Sequence, residues 1–89
     1  MSVGAYKKAA KRDLSASEKR ELIERYAPLV KIAAYRLIGR LPRHLVADDL
    51  IACGNLGLLE AIHSFDPGMM VKFETYAKFR IRGAMLDEL

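Results

Sequence analysis

The sequence predicts an all-α domain, a small bundle of about four helices, and three observations carry that expectation. Apolar residues recur at three- and four-residue steps in successive blocks, the spacing of a buried helix face. No stretch alternates apolar and polar residues as a half-buried strand would, and no segment repeats. Breakers separate the blocks: Gly39 and Pro42, then Pro67 and Gly68. At 89 residues, 52% of them hydrophobic, the chain can fill one compact core and is too apolar for wholesale disorder.

Residues 1–14 have no clear period and cluster Lys7, Lys8, Lys11 and Arg12, so they are expected to form a basic, flexible leader. The helical domain is expected over residues 15–89. Ser15-Ala16-Ser17-Glu18 fits a capping box, with Ser15 as N-cap and Glu18 reaching back. From there Leu22, Tyr26, Leu29, Val30, Ala33 and Leu37 mark one helical face. Pro28 lacks a backbone donor and should kink this helix, or divide it in two near Tyr26. Gly39 and then Pro42 mark its end.

A second helix should start near Ala47 or Asp48, where carboxylates suit a helix N-terminus, and run to about Ser64. At 100° per residue, Leu50, Gly54, Gly57, Leu58, Ala61 and Phe65 share one face. Each interior glycine costs about 1 kcal/mol relative to alanine. Gly54, Gly57 and Ala61 together form a smooth strip suited to close approach by another helix. The opposite face mixes Asp49, Ala52, Asn55, Leu56, Leu59 and His63 within about 120°. Two leucines framed by polar groups in this way predict a docking surface. Phe65-Asp66-Pro67-Gly68 reads as a turn, and the last helix begins near Phe73. On it Phe73, Tyr76, Ala77, Arg80 and Ala84 share one side, while Thr75, Lys78, Phe79, Arg82 and Leu86 share another. A domain this small cannot bury both sides, so part of the aromatic set should be exposed.

Several function classes are disfavoured. No apolar run approaches the roughly 20 residues of a membrane span, and the basic N-terminus has no apolar stretch behind it to make a secretory signal. A cytoplasmic location is expected. Cys53 is the single cysteine, and His44 and His63 form no short ligand pair, so neither a metal site nor any other cofactor is expected. Glycine-rich phosphate loops are missing. Asp48-Asp49 and Asp87-Glu88 are adjacent pairs that diverge on a helix, poor material for acid/base chemistry. No enzymatic centre is expected.

Charge and aromatic content point to an anionic partner. Residues 1–47 hold 11 Lys/Arg against 4 Asp/Glu, so the positive field lies mainly in the first half. The final segment, VKFETYAKFRIRGAMLDEL, interleaves Phe73, Tyr76 and Phe79 with Lys72, Lys78, Arg80 and Arg82. Flat rings offer stacking platforms for unpaired bases, and cations at helical spacing offer contacts to phosphates.

The runs DDLIACGNLGLLEAIHSFDP and VKFETYAKFRIRGAMLDEL closely resemble region 2 of bacterial RNA polymerase sigma factors. The ending RIRGAMLDEL is most similar to the flagellar and sporulation-type alternative subgroup. The resemblance covers about residues 26–89. It implies a transcription initiation factor whose central helix docks on the coiled coil of the clamp in the polymerase's largest subunit. Asp49, Ala52, Asn55, Leu56 and Leu59 match that docking segment, the same mixed face marked out by periodicity. It further implies that the last helix and the loop before it capture the melted non-template strand of the minus-ten promoter element. Phe65, Lys72, Phe73, Tyr76, Phe79 and Arg80 match that surface, with Tyr76 at the position of the aromatic that stacks in place of a flipped base. Arg82 joins them as a candidate phosphate contact.

Two departures qualify the match. Housekeeping members carry a tryptophan pair where this chain has Phe79-Arg80, a weaker wedge that should melt DNA less efficiently alone. The sequence also ends at Leu89, ahead of the segment that completes minus-ten recognition and of the helix-turn-helix domain, so a fragment of a longer sigma factor is expected. The alternative reading is a helical protein-interaction module bound by an anti-sigma regulator, with no direct DNA contacts.

Overall fold

Ser15 opens the first helix with the reciprocal cap that its spacing predicts. In the computed structural model its side-chain oxygen accepts from the Glu18 backbone N–H at 3.1 Å, and its own N–H donates to Glu18 Oε1 at 2.8 Å. Helix α1 then runs Ala16–Ile38. The structure describes residues 14–40 and 46–88. The predicted basic leader, apart from Leu14, and Pro42 and His44 lie outside the described residues.

Pro28 does not divide α1. The helix is continuous through it, although the ring removes one intrahelical hydrogen bond. The physical reason lies on both sides of the proline. Leu22, Ile23 and Tyr26 before it, and Val30, Ala33, Ala34 and Leu37 after it, all pack on the same core. A break would forfeit one of the two halves, whereas the exposed proline costs only local backbone satisfaction. Among the described residues there are therefore three helices, against the expected four or so, and no strand.

Helix α2 spans Ala47–Ser64, with Asp48 and Asp49 in its first turn. Its N-cap is Val46, which has no side chain able to cap, so the two carboxylates are what complement the positive end of the helix. After Ser64 the chain turns at Asp66. Its carboxylate accepts from the Gly68 N–H at 2.8 Å and its carbonyl from the Met69 N–H at 2.8 Å. Helix α3 spans Phe73–Asp87.

The core is formed by Val30 and Ala34 of α1, Leu50, Leu58, Ala61 and Ile62 of α2, and Ala77, Ile81 and Met85 of α3. Helix α2 is central and lies closest to α3, and the glycines explain why. A Cβ added at Gly57 would stand 2.7 Å from the Arg80 carbonyl oxygen and 3.0 Å from Ile81 Cα. One added at Gly54 would collide with the Met85 methyl group and lie 2.8 Å from Val30 Cγ1. The smooth strip predicted for this face is thus the seam on which α3 lies, with Gly54 also admitting α1. Phe65, assigned to the same face, is only half-buried, because α2 has ended before it. No helix among the described residues is long and apolar enough to cross a membrane.

Candidate functional site

Because α2 buries its glycine face, its opposite face is left to solvent. Asp49, Ala52, Asn55, Leu56, Leu59 and His63 are all exposed, Leu56 at 62% and Leu59 at 36%. Five of these are the sequence-predicted docking residues, and one helix presents them together. No described element of the fold covers the two leucines.

The predicted strand-binding residues separate into three groups. The first is an aromatic cluster at the junction of the turn, α3 and α1. Phe73 meets Tyr26 edge-on at 5.2 Å and Phe65 at 5.4 Å, and Phe65 meets Tyr76 at 5.8 Å between ring centroids. Phe65, Phe73 and Tyr76 are half-buried: each ring is partly occupied by its neighbours and partly open. Their positions follow from helix geometry, since Phe73 and Tyr76 lie one turn apart and the turn brings Phe65 back against both.

Arg80 extends this cluster. Its guanidinium carbon lies 6.0 Å from the Tyr76 ring centroid, within reach of a weak cation–π contact. Its Nη2 donates to Glu60 Oε1 at 2.9 Å. The Glu60 bond raises the affinity of the guanidinium for its proton further above its ordinary value. Arg80 is therefore already engaged by the protein. From sequence alone Arg80 is an available cation, and nothing marks Glu60 as its partner. The partner lies twenty positions away on another helix, so no local spacing could reveal it.

The second group is Phe79 alone, 74% exposed. It lines an open groove between α2 and α3 with Leu56, Glu60 and Arg80. Cys53 sits half-buried on the same groove; burial pushes its thiol above the ordinary value, and the Glu88 carboxylate adds to the shift.

The third group comprises the exposed cations. Lys72 is the N-cap of α3 and stands in solvent beside the aromatic cluster. Arg82 lines a groove of about 510 Å³ between α1 and α3, a different one from that lined by Phe79. Arg36, Arg40 and Lys78 stand around the same groove over Leu29, Ile32 and Leu37. Arg36 and Arg40 lie one turn apart at the end of α1, and only the packing of α1 on α3 brings them to Arg82.

The assembly thus comprises an exposed face on α2 that mixes leucines with polar groups, a ring cluster with one exposed aromatic on α3, and exposed cations. Chemically, such groups are able to pack against a protein partner, to stack on flat rings and to neutralise phosphate. Among the described residues no group of three or more His, Cys, Asp or Glu side chains could hold a metal ion.

Comparison with known proteins identifies the family. Over 69 residues the chain is 58% identical to the RNA polymerase sigma factor FliA of Pseudomonas aeruginosa, covering 78% of this chain and 28% of that protein. It is 48% identical over 69 residues to the RNA polymerase sigma-D factor of Bacillus subtilis, covering 78% of this chain and 27% of that protein. With FliA of Escherichia coli K12 the identity is 50% over 72 residues, 81% of this chain and 30% of that one. The chain therefore spans less than a third of the length of these relatives. The pattern of the Sigma-70 region 2 family matches residues 22–89, which include most of α1, all of α2 and α3, and every residue of the two candidate surfaces. The chain belongs to the Sigma-70 region 2 family, and among its relatives are flagellar-type sigma factors.

Proposed function

We propose that residues 15–89 serve transcription initiation, docking on the clamp coiled coil of RNA polymerase and capturing the melted non-template strand of the minus-ten element. In this reading Asp49, Ala52, Asn55, Leu56 and Leu59 meet the polymerase. Phe65, Lys72, Phe73, Tyr76, Phe79, Arg80 and Arg82 meet the DNA. The domain is non-catalytic and acts in the cytoplasm. The observation that carries the reading is the exposure of Phe79 beside a half-open aromatic cluster, on a helix different from the one that displays Leu56 and Leu59. Two surfaces are available at once, so one partner can be held while the other is bound.

The energetic logic is base capture. Extracting a base from the duplex costs a few kcal/mol, and stacking on protein rings returns about 1–3 kcal/mol per base. The half-buried rings are held by one another, so less ordering is left for the moment of binding. The alternative, a module bound only by an anti-sigma regulator, accounts for the α2 face but leaves the exposed Phe79 and its flanking cations without a role. The deciding measurement is binding of a fluorescent non-template minus-ten oligonucleotide by the chain, with and without a clamp coiled-coil fragment. Sequence-selective binding supports strand capture; coiled-coil binding with no oligonucleotide binding in either condition supports the alternative.

A further inference from the structure

Glu60 belongs to neither proposed surface, yet it lies between them. It sits on α2 one turn after Leu56, lines the groove that also holds Phe79, and accepts from Arg80 at 2.9 Å. We propose that Glu60 is an internal stand-in for a DNA phosphate, holding the Arg80 guanidinium until the backbone of the captured strand takes its place. The proposal rests on the strand-capture reading and adds a gating residue to it.

Three features support it. A guanidinium presents its N–H fork to carboxylate and phosphate in the same geometry, so one can replace the other without Arg80 changing its shape. The pair is open to solvent, with side chains 35% exposed for Arg80 and 58% for Glu60, so a strand can reach it. An exposed ion pair of this kind contributes little to stability and is readily exchanged for a stronger anion. Arg80 also lies against the Tyr76 ring, so the released guanidinium would stand beside the base-stacking cluster, where the strand backbone must run. Glu60 thereby keeps a phosphate contact in reserve and lowers affinity for anions that bring no base to stack.

The test uses the full chain bound to RNA polymerase core and a fluorescent non-template minus-ten oligonucleotide, titrated across salt concentrations. Glu60→Gln keeps the side-chain shape and removes the charge that holds Arg80. It should tighten strand binding at low salt by about two- to fivefold, the worth of the exposed ion pair that capture no longer has to break. The slope of log K against log salt should stay close to wild type, because the Arg80–phosphate contact is made in both complexes. Arg80→Ala should make the slope shallower by about 0.7, the value of one lost phosphate contact to a single strand, and Glu60→Gln added to it should change binding no further. Unchanged affinity in Glu60→Gln, or a gain that persists in the Arg80→Ala background, would overturn the proposal; the first outcome leaves the pair as a strut between α2 and α3. Phe79→Ala, measured alongside, separates the two levels. If it binds as well as wild type, strand capture by this helix fails; if it weakens binding while Glu60→Gln leaves affinity unchanged, only the gate fails.

Discussion

Phe79 and Tyr76 lie three residues apart on α3 and differ in what alanine would remove. Phe79 is in solvent, so Phe79→Ala should weaken capture of the non-template strand by about 1–3 kcal/mol and leave thermal stability unchanged. Tyr76 touches Phe65 and Arg80, so Tyr76→Ala should lower the melting temperature as well as strand affinity. Tyr76→Phe keeps the ring and should retain most of both. Anisotropy with a labelled oligonucleotide and a thermal melt on each variant check the pattern. Equal binding by Phe79→Ala and wild type would remove Phe79 from the strand surface. Arg82→Ala should change neither stacking nor fold and should make the salt slope shallower by about 0.7. At Cys53 the raised thiol pKa favours the protonated form in the folded state. Stability from this group is therefore complete below the unfolded thiol's pKa and is lost as pH rises through the folded value. Alkylation by iodoacetamide should accordingly reach half-maximal rate at higher pH in the folded chain than in the denatured one.

Among the elements, the α2–α3 seam is where substitution should be least tolerated. Gly57→Ala gains about 1 kcal/mol of helix propensity, but its methyl group would press on the Arg80 carbonyl and the Ile81 backbone, which cannot swing aside. Overpacking of this kind costs about 1–3 kcal/mol, and Gly57→Leu should cost more. A melting temperature at or above wild type for Gly57→Ala would show that the helices can separate freely there. Helix α1 obeys the opposite balance. Its proline is tolerated because both halves of the helix are anchored on the core, whereas its start depends on local chemistry: Ser15→Ala should cost about 1 kcal/mol by removing a cap that both partners satisfy.

At the scale of the whole molecule, the fold presents two neighbouring surfaces that meet at the α2–α3 groove, with Leu56 on one wall and Phe79 on the other. Leu59→Arg or Asp49→Arg should leave helical content intact and abolish binding to the clamp coiled coil. A charge introduced into, or inverted within, a desolvated contact costs at least the roughly 2 kcal/mol of a hot-spot truncation. Circular dichroism together with a pull-down on the clamp fragment checks this; wild-type binding by both folded variants would place the docking face elsewhere. Strand capture by these variants, measured without polymerase, should be unaffected, since neither residue belongs to the ring cluster or its cations.

Much of this architecture is legible in the sequence, for a physical reason. Helix starts, turns and faces are set by interactions within about four residues. The Ser15 box, the Ala47 start of α2, the Asp66 turn and the two faces of α2 therefore follow from spacing alone. The continuity of α1 through Pro28 did not, because burial on both sides of the proline outweighs the lost hydrogen bond and only packing supplies that burial. Local pattern puts Phe79 on a different side of α3 from Phe73 and Tyr76, but which side stays in solvent was decided only by Tyr26 and Phe65 closing on the other two rings. The state of Arg80 was hidden most completely. Whether a cation is free or already neutralised depends on what stands across the interhelix groove, and Glu60 reaches it only because Gly57 lets α2 and α3 come so close. Spacing along the chain determined which side chains can bind; distance between helices decided which of them are free to do so.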